Sequence, residues 1–206
     1  MEINSIMNMK KRAFTLTELL VSLAIIGTIA VFAIPPLMND IHTRVYLNMV
    51  KNMSVTIEEL AADQMLNRRV RNLSDTDFGN ADEILSTKHF AIVKKENGIL
   101  TSTYKNFSNE DKTIDGIDGK SALLKNGVVL VYAPLSNSAT ATGTFIMDAN
   151  GNDAPNVIGK DLFVFNITKK GKIVSGTEDT SLAACSAGNP RSCYGYIVTN
   201  GWKYPN

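Results

Sequence analysis

The sequence has few of the residues on which enzymes and metalloproteins most often rely. Its 206 residues include only two cysteines, two histidines and one tryptophan. His42 and His89 stand far apart, and no serine–histidine–aspartate set, metal-binding histidine spacing or glycine-rich phosphate loop can be assembled around them. The formal net charge is +1, which gives no support to a general affinity for nucleic acid. We therefore expect neither enzymatic activity nor a nucleic-acid partner.

The small net charge is unevenly distributed along the chain. Residues 1–13 carry a net of +2, with three consecutive basic residues at positions 10–12, whereas the remainder carries a net of −1. From Leu19 to Met38 there is no charged residue. As a helix this run would be about 30 Å long, enough to cross the hydrocarbon core of a bilayer. Because basic residues stay on the cytoplasmic side, the pattern predicts one span with the C-terminal body outside.

After this run the spacing of apolar residues predicts an amphipathic helix, which we expect to end around Arg69 to Asn72. Pro35 and Pro36 fall near the end of the apolar run and favour a kink or a locally opened turn there. The apolar stripe that follows recurs at intervals of three to five residues: Ile41, Val45, Met49, Met53, Ile57, Leu60 and Met65.

The rest of the chain reads as β-rich. Residues 73–89 resemble a loop with a short helix, and β-branched or aromatic runs bounded by turn residues come after it. We therefore predict an α+β fold, a long N-terminal helix packed on an antiparallel sheet. The candidate strands are Phe90–Lys94, Gly127–Ala133, Thr144–Asp148, Leu162–Ile167 and Lys172–Ser175, with residues 194–199 as a last strand or an extended tail.

The junction between the basic segment and the apolar run carries the most specific motif. It reads Lys10-Lys11-Arg12-Ala13-Phe14-Thr15-Leu16-Thr17-Glu18-Leu19-Leu20-Val21. This resembles the cleavage and methylation segment of type IV prepilins and type II secretion pseudopilins. The resemblance implies cleavage between Ala13 and Phe14, N-methylation of Phe14 and an assembly role for Glu18, the fifth mature residue. Pro35 becomes the twenty-second mature residue, where the family often has a proline. The family usually has glycine where this chain has Ala13.

The resemblance implies a division of the chain into four parts. These are a cleaved leader (1–13), a transmembrane and filament-core helix (14–38), a helical stem (39–72) and an extracytoplasmic pilin-like body (73–206). The implied partners are other pilin-like subunits, a prepilin peptidase, the membrane and its assembly platform. The implied location is the bacterial inner membrane, with the N-terminus cytoplasmic, and then a type IV pilus or a type II secretion pseudopilus.

Two alternatives to a filament subunit stay open. A basic segment followed by an apolar run is also typical of an ordinary secretory signal, which would be cut after Ala33 to leave Ile34 first. The other alternative is a membrane-anchored extracytoplasmic binding protein that is not cleaved at Ala13 and does not polymerise. In the family, Glu18 pairs with the N-terminal amine of a neighbouring subunit, so only a filament subunit would depend on it for assembly.

Two further features concern the body. Cys185 and Cys193 form an even, close pair on a chain with an export signal, which predicts a disulfide. Four oxygen-bearing side chains lie within six residues, and such clusters on tight turns can bind calcium. The spacing is not that of an EF-hand, and asparagine–glycine clusters also form plain turns. The calcium candidates are Asp148, Asn150, Asn152 and Asp153, and no other cofactor is expected.

Overall fold

The computed structural model describes residues 15–101, 103–117 and 119–204. These fall into two compact units that divide between His42 and Thr43. In chain order the elements are α1 (Leu16–Arg68), two 3-10 turns (Leu73–Asp75 and Asp77–Gly79), α2 (Ala81–Ile84), β1 (Ile92–Asn97), β2 (Thr103–Lys105), β3 (Asp111–Thr113), β4 (Lys120–Leu124), β5 (Val129–Pro134), β6 (Ala141–Asp148), β7 (Leu162–Thr168), β8 (Ile173–Val174), α3 (Leu182–Ser186) and α4 (Pro190–Thr199).

The body is built on a six-stranded antiparallel sheet with the order β1-β4-β5-β6-β7-β8. From β4 onward, each strand pairs with the next strand in the chain. The excursion between β1 and β4 forms a separate two-stranded ribbon of β2 and β3. A long N-terminal helix followed by an antiparallel sheet confirms the predicted α+β fold.

The centre of the sheet is the core of the body. All eight residues of β6 are buried, because the sheet is covered on both faces at this strand. Tyr132, Phe145 and Phe165 are directly paired across three strands, and their rings pack in sequence with centroids 4.5 and 5.8 Å apart. The Tyr194 ring of α4 continues the series 4.8 Å from Phe165. These rings anchor α4 to the sheet.

The expectation of a final strand or an extended tail at residues 194–199 is wrong. This segment lies within α4, whose N-terminus is capped by the Asn189 side chain, which accepts hydrogen bonds from two backbone N–H groups. Pro190 occupies the first turn, where it needs no N–H partner. Cys193, Tyr194 and Ile197 are then buried on one face at helical spacing. Capping and tertiary packing together override the strand propensity of the sequence.

The helix α1 ends at Arg68, slightly before the predicted stretch, and it continues without interruption through residues 35 and 36. The end is a Schellman motif, in which Val70 N–H donates to Met65 O at 3.1 Å and Arg69 N–H donates to Leu66 O at 3.2 Å. Arg69 has a φ of 55°, in the left-handed region where glycine is the usual residue. The chain thus leaves the helix through a strained arginine.

Candidate functional site

The first turn of α1 is closed by a reciprocal pair of side chains. Thr15 N–H and Thr15 Oγ1 both donate to Glu18 Oε2 at 2.8 Å, and Glu18 N–H donates back to Thr15 Oγ1 at 3.2 Å. This is a capping box, in which the residue before the helix and the third helical residue satisfy each other's backbone groups. The sequence Thr15-Leu16-Thr17-Glu18 carries its signature, a threonine followed three residues later by a glutamate. Glu18 therefore also stabilises the start of the helix.

The segment that follows is apolar on every side. Leu16–Ile34 has a mean hydropathy of 2.2 and is not buried, and no other helix in the described parts of the chain is long and apolar enough to cross a membrane. Two of its three hydroxyl groups are satisfied within the helix: Ser22 donates to Glu18 O at 2.7 Å and Thr28 donates to Ile25 O at 2.8 Å. Internal satisfaction of polar groups is what a lipid environment demands. This segment fits a single-pass membrane anchor.

The residues predicted for processing lie outside the described part of the chain. Ala13 and Phe14 precede Thr15, where the description begins, and the side chain of Pro35 is likewise not described. Cleavage, methylation and the pairing of Glu18 with a terminal amine therefore stay predictions. What the structure adds is the position of Glu18 in the first turn.

The predicted disulfide is confirmed. Cys185 and Cys193 are bonded and both are completely buried, so the bridge ties α3 to α4. Gly159 packs directly on the bridge, since a Cβ at this position would lie 2.6 Å from Cys193 Sγ. Tyr204 donates a hydrogen bond to Gly159 O at 2.6 Å from the C-terminal side. The bridge thus holds both helices and the final residues against the loop between β6 and β7.

Comparisons with known proteins agree with this architecture. Residues 8–34 match the family described as the prokaryotic N-terminal methylation motif. The chain is also similar to the type IV major pilin protein PilE of Neisseria gonorrhoeae, with 30% identity over 151 residues that cover 71% of this chain and 89% of that protein. The chain belongs to the type IV pilin family. No solved structure matches this pilin significantly.

Type IV pilins are structural proteins, so this pilin is a structural subunit. The resemblance deduced from the junction is thereby confirmed, and so is the pilin-like fold.

Three of the four predicted calcium ligands already use side-chain atoms in hydrogen bonds within this pilin. Both carboxylate oxygens of Asp148 already accept hydrogen bonds, from Tyr104 Oη at 2.6 Å and from Asn150 N–H at 3.0 Å. Asn152 accepts a hydrogen bond from Thr101 N–H at 2.8 Å. Of the four, only Asn150 keeps a buried side-chain oxygen without a donor. Calcium binding at these residues stays a prediction.

Asp148 also belongs to a buried polar group that no local sequence pattern indicates. Asp148, Asp161 and Tyr104 are fully buried. Burial raises the pKa of Asp148 to about 7 against the opposing hydrogen bond from Tyr104, and the charge of Asp161 adds to the increase. Burial likewise raises the pKa of Asp161 to about 6, although several backbone N–H groups oppose this. The hydrogen bond from Tyr104 to Asp148 joins β2 to the end of β6.

A second polar cluster joins α1 to the segment that follows it. Asp77 is 4% exposed and binds Arg68, Lys88 Nζ at 3.1 Å and His89 Nε2 at 2.6 Å. Its backbone N–H donates to Gln64 Oε1 of α1 at 3.0 Å. Burial acts to raise the pKa of Asp77, but the hydrogen bonds and the neighbouring cations outweigh it and hold that pKa below the ordinary value. These residues fasten the end of α1 to the body.

Proposed function

We propose that this pilin is a type IV pilus subunit that a prepilin peptidase processes at Ala13–Phe14 and that assembles through its N-terminal helix. One observation carries the proposal: an apolar helix of membrane length, exposed all round, holds its single acidic residue in its first turn. The apolar segment first anchors the precursor in the inner membrane, with the N-terminus cytoplasmic and the body outside. It then forms the core of the filament.

The position of Glu18 gives the anchor an assembly signal. An ionised carboxylate in a membrane span costs about 2.5–3.5 kcal/mol at the centre of the bilayer, and less near its edge. Glu18 Oε2 is held by Thr15, whereas none of the hydrogen bonds among the described residues uses Oε1. Cleavage before Phe14 would create a cationic amine one helical turn away. The same amine on a neighbouring subunit would pair with the free oxygen and relieve part of the cost of burial.

Pilin-like subunits form both type IV pili and type II secretion pseudopili. We choose the pilus because this chain is similar to a pilin of known kind. The relative that this chain covers over 89% of its length is named as a major pilin. A type II secretion pseudopilus is the other candidate within the family. An anchored binding protein that does not polymerise is the candidate outside it. In each filament the chemistry belongs to the peptidase and the assembly machinery, and the subunit itself is not an enzyme.

Processing is tested by mass spectrometry of the N-terminal peptide from purified membranes. We expect a mature chain that begins at methylated Phe14. A chain that begins at Ile34 would indicate ordinary secretion and contradict the proposal. An intact Met1 in cells that contain an active prepilin peptidase would favour the non-polymerising anchor.

Assembly is tested with two substitutions of Glu18 that separate its roles. Glu18→Gln keeps the capping box, because glutamine can also accept from the Thr15 N–H, but it removes the charge. Glu18→Ala removes both the capping interaction and the charge. We expect both variants to insert in the membrane and both to lose filaments, as measured by electron microscopy and by the yield of sheared filaments. Normal filaments from Glu18→Gln would show that only helix capping matters at this position.

A further inference from the structure

A surface cavity lies beside the last turns of α1, and the proposed assembly makes no use of it. The residues that α1 contributes recur three or four apart, as one face of a helix requires: Leu60, Asp63, Gln64, Asn67 and Arg68. Lys88 and His89, which follow α2, complete the lining. The volume is about 310 Å³, at the lower end of the range of about 300–1,000 Å³ that small-molecule sites occupy. The cavity is therefore large enough for a small ligand.

The buried carboxylate of Asp77 fixes four of the lining side chains. Burial opposes the ionisation of Asp77, but hydrogen bonds from His89 and Lys88 and the charge of Arg68 lower its pKa below the ordinary value. Because an ionised carboxylate can only accept, His89 Nε2 is the donor in its 2.6 Å hydrogen bond to Asp77 Oδ2. Gln64 Oε1 accepts from the Asp77 N–H at 3.0 Å. These contacts hold one side of the cavity in place without a ligand.

This side of the cavity carries more positive charge than Asp77 balances. Arg68 and Lys88 both bind Asp77, so two permanent cations face one carboxylate. Their side chains are nevertheless 43% and 70% exposed. A guanidinium and an ammonium group each have several N–H donors, and within the described ranges each of these two side chains uses only one of them. Both can therefore donate to an anionic group that enters the cavity.

The other side of the cavity is acidic. Asp63 is exposed there and makes no ion pair with any residue that the structure describes. It stands five residues before Arg68, which corresponds to about 7.5 Å along the helix axis. Asn67 lies one turn after Asp63 on the same face and is also exposed. The cavity therefore presents an acid without a partner toward one end and surplus positive charge toward the other.

We propose that this cavity binds a small zwitterion that carries a carboxylate at one end and an ammonium group at the other. Arg68 and Lys88 hold the carboxylate, and Asp63 holds the ammonium group. Asp63 repels a simple anion, and the surplus positive charge repels a simple cation, so only a ligand with both charges satisfies both sides. An ω-amino acid has this form. The charged groups of an α-amino acid are attached to one carbon atom and are too close together to reach both sides.

Binding is tested by ligand-observed NMR titration of the unassembled full-length pilin in detergent, with γ-aminobutyrate as the probe. All lining residues belong to the compact unit Thr43–Asn206, so the site needs no second copy. We expect saturable binding that is about tenfold tighter than the binding of glycine, butyrate or butylamine, because each of these lacks the spacing or one of the charges. Absence of binding, or equal binding of all four compounds, overturns the proposal. Failure of the pilin to form filaments would contradict the proposed function and leave this result unaffected.

Asp63→Asn tests the acidic side of the cavity. It should weaken the binding of γ-aminobutyrate about tenfold, because the ammonium group loses its charged partner, and it should not weaken the binding of butyrate. The matched control is Glu59→Gln, which makes the same change of charge one turn earlier on α1, at an exposed position outside the cavity. This control should bind γ-aminobutyrate as the wild type does. An equal loss of affinity in the two variants would mean that only the general charge of the surface matters.

Lys88→Gln tests the cationic side. Lys88 is chosen over Arg68 because its side chain is 70% exposed, so that its replacement should leave the fold intact, as thermal unfolding without ligand verifies. The variant should bind both γ-aminobutyrate and butyrate about tenfold more weakly than the wild type. Its control is Lys170→Gln in the exposed β7–β8 turn, which should change neither affinity. Unchanged binding by a folded Lys88→Gln variant overturns the assigned contact with the carboxylate.

Discussion

The buried carboxylate of Asp148 makes the stability of the body depend on pH in an unusual direction. Burial raises its pKa to about 7, whereas an aspartate in an unfolded chain titrates near 3.9. Between these values the folded state holds a proton that the unfolded chain has released. The stabilisation is therefore complete at low pH and is lost as the pH rises through 7. One proton over the two pH units from 5 to 7 corresponds to about 3 kcal/mol.

This loss can be measured by thermal unfolding of the full-length pilin in detergent, followed by the fluorescence of Trp202. For a domain of this size, about 3 kcal/mol corresponds to a decrease in Tm of roughly 6–12 °C between pH 5 and pH 8. Asp148→Asn is the control, because its amide oxygen can still accept from Tyr104 while it no longer titrates. The variant should lose most of the pH dependence, although Asp161, with a raised pKa of about 6, keeps a smaller share. Parallel Tm profiles for the two proteins would refute the reasoning.

Three further substitutions test the packing of the body. Cys193→Ser breaks a fully buried disulfide that closes a short loop, and it should lower the free energy of unfolding by about 2–3 kcal/mol, measured by denaturant titration. Gly143→Ala should lower Tm strongly, since its Cβ would lie 2.2 Å from Tyr132 Oη; a near-native Tm would mean that the ring moves aside freely. Tyr132→Phe leaves the carbonyl of Phe78 without its 2.7 Å hydrogen bond and should cost about 1–3 kcal/mol, with unchanged stability counting against that contact.

The features that the sequence predicts well are those that depend on residues close together in the chain. The apolar run, the basic leader and Glu18 all lie within one stretch of the chain, and the two cysteines are only eight residues apart. The residues around Tyr194 show the limit of this approach. By propensity alone this segment favours a strand. The cap at Asn189, the disulfide and the contact between the rings of Phe165 and Tyr194 together stabilise a helix instead.

The polar clusters could not be predicted for a different reason. Asp77 binds Arg68 of α1 as well as Lys88 and His89, which follow α2. No local sequence pattern predicts contacts between residues this far apart in the chain. Lys172 Nζ donates to Glu58 Oε2 at 3.0 Å, although Glu58 lies 114 residues earlier in the chain. The oxygen-bearing neighbours of Asp148 predict a calcium ligand, but they give no sign of its partner Tyr104. Its burial beside Tyr104 depends on a strand 44 residues away.

The strand order of the sheet has a consequence for how the body forms. From β4 to β8 every strand lies beside its predecessor, so each new strand can pair as soon as it is available. Contacts that are local in sequence close quickly, because little loop entropy is lost before pairing begins. Only β1 must wait, since its partner β4 comes after the β2–β3 ribbon. A body that emerges outside the membrane from its N-terminal end can therefore add each strand from β5 onward to the edge of the growing sheet.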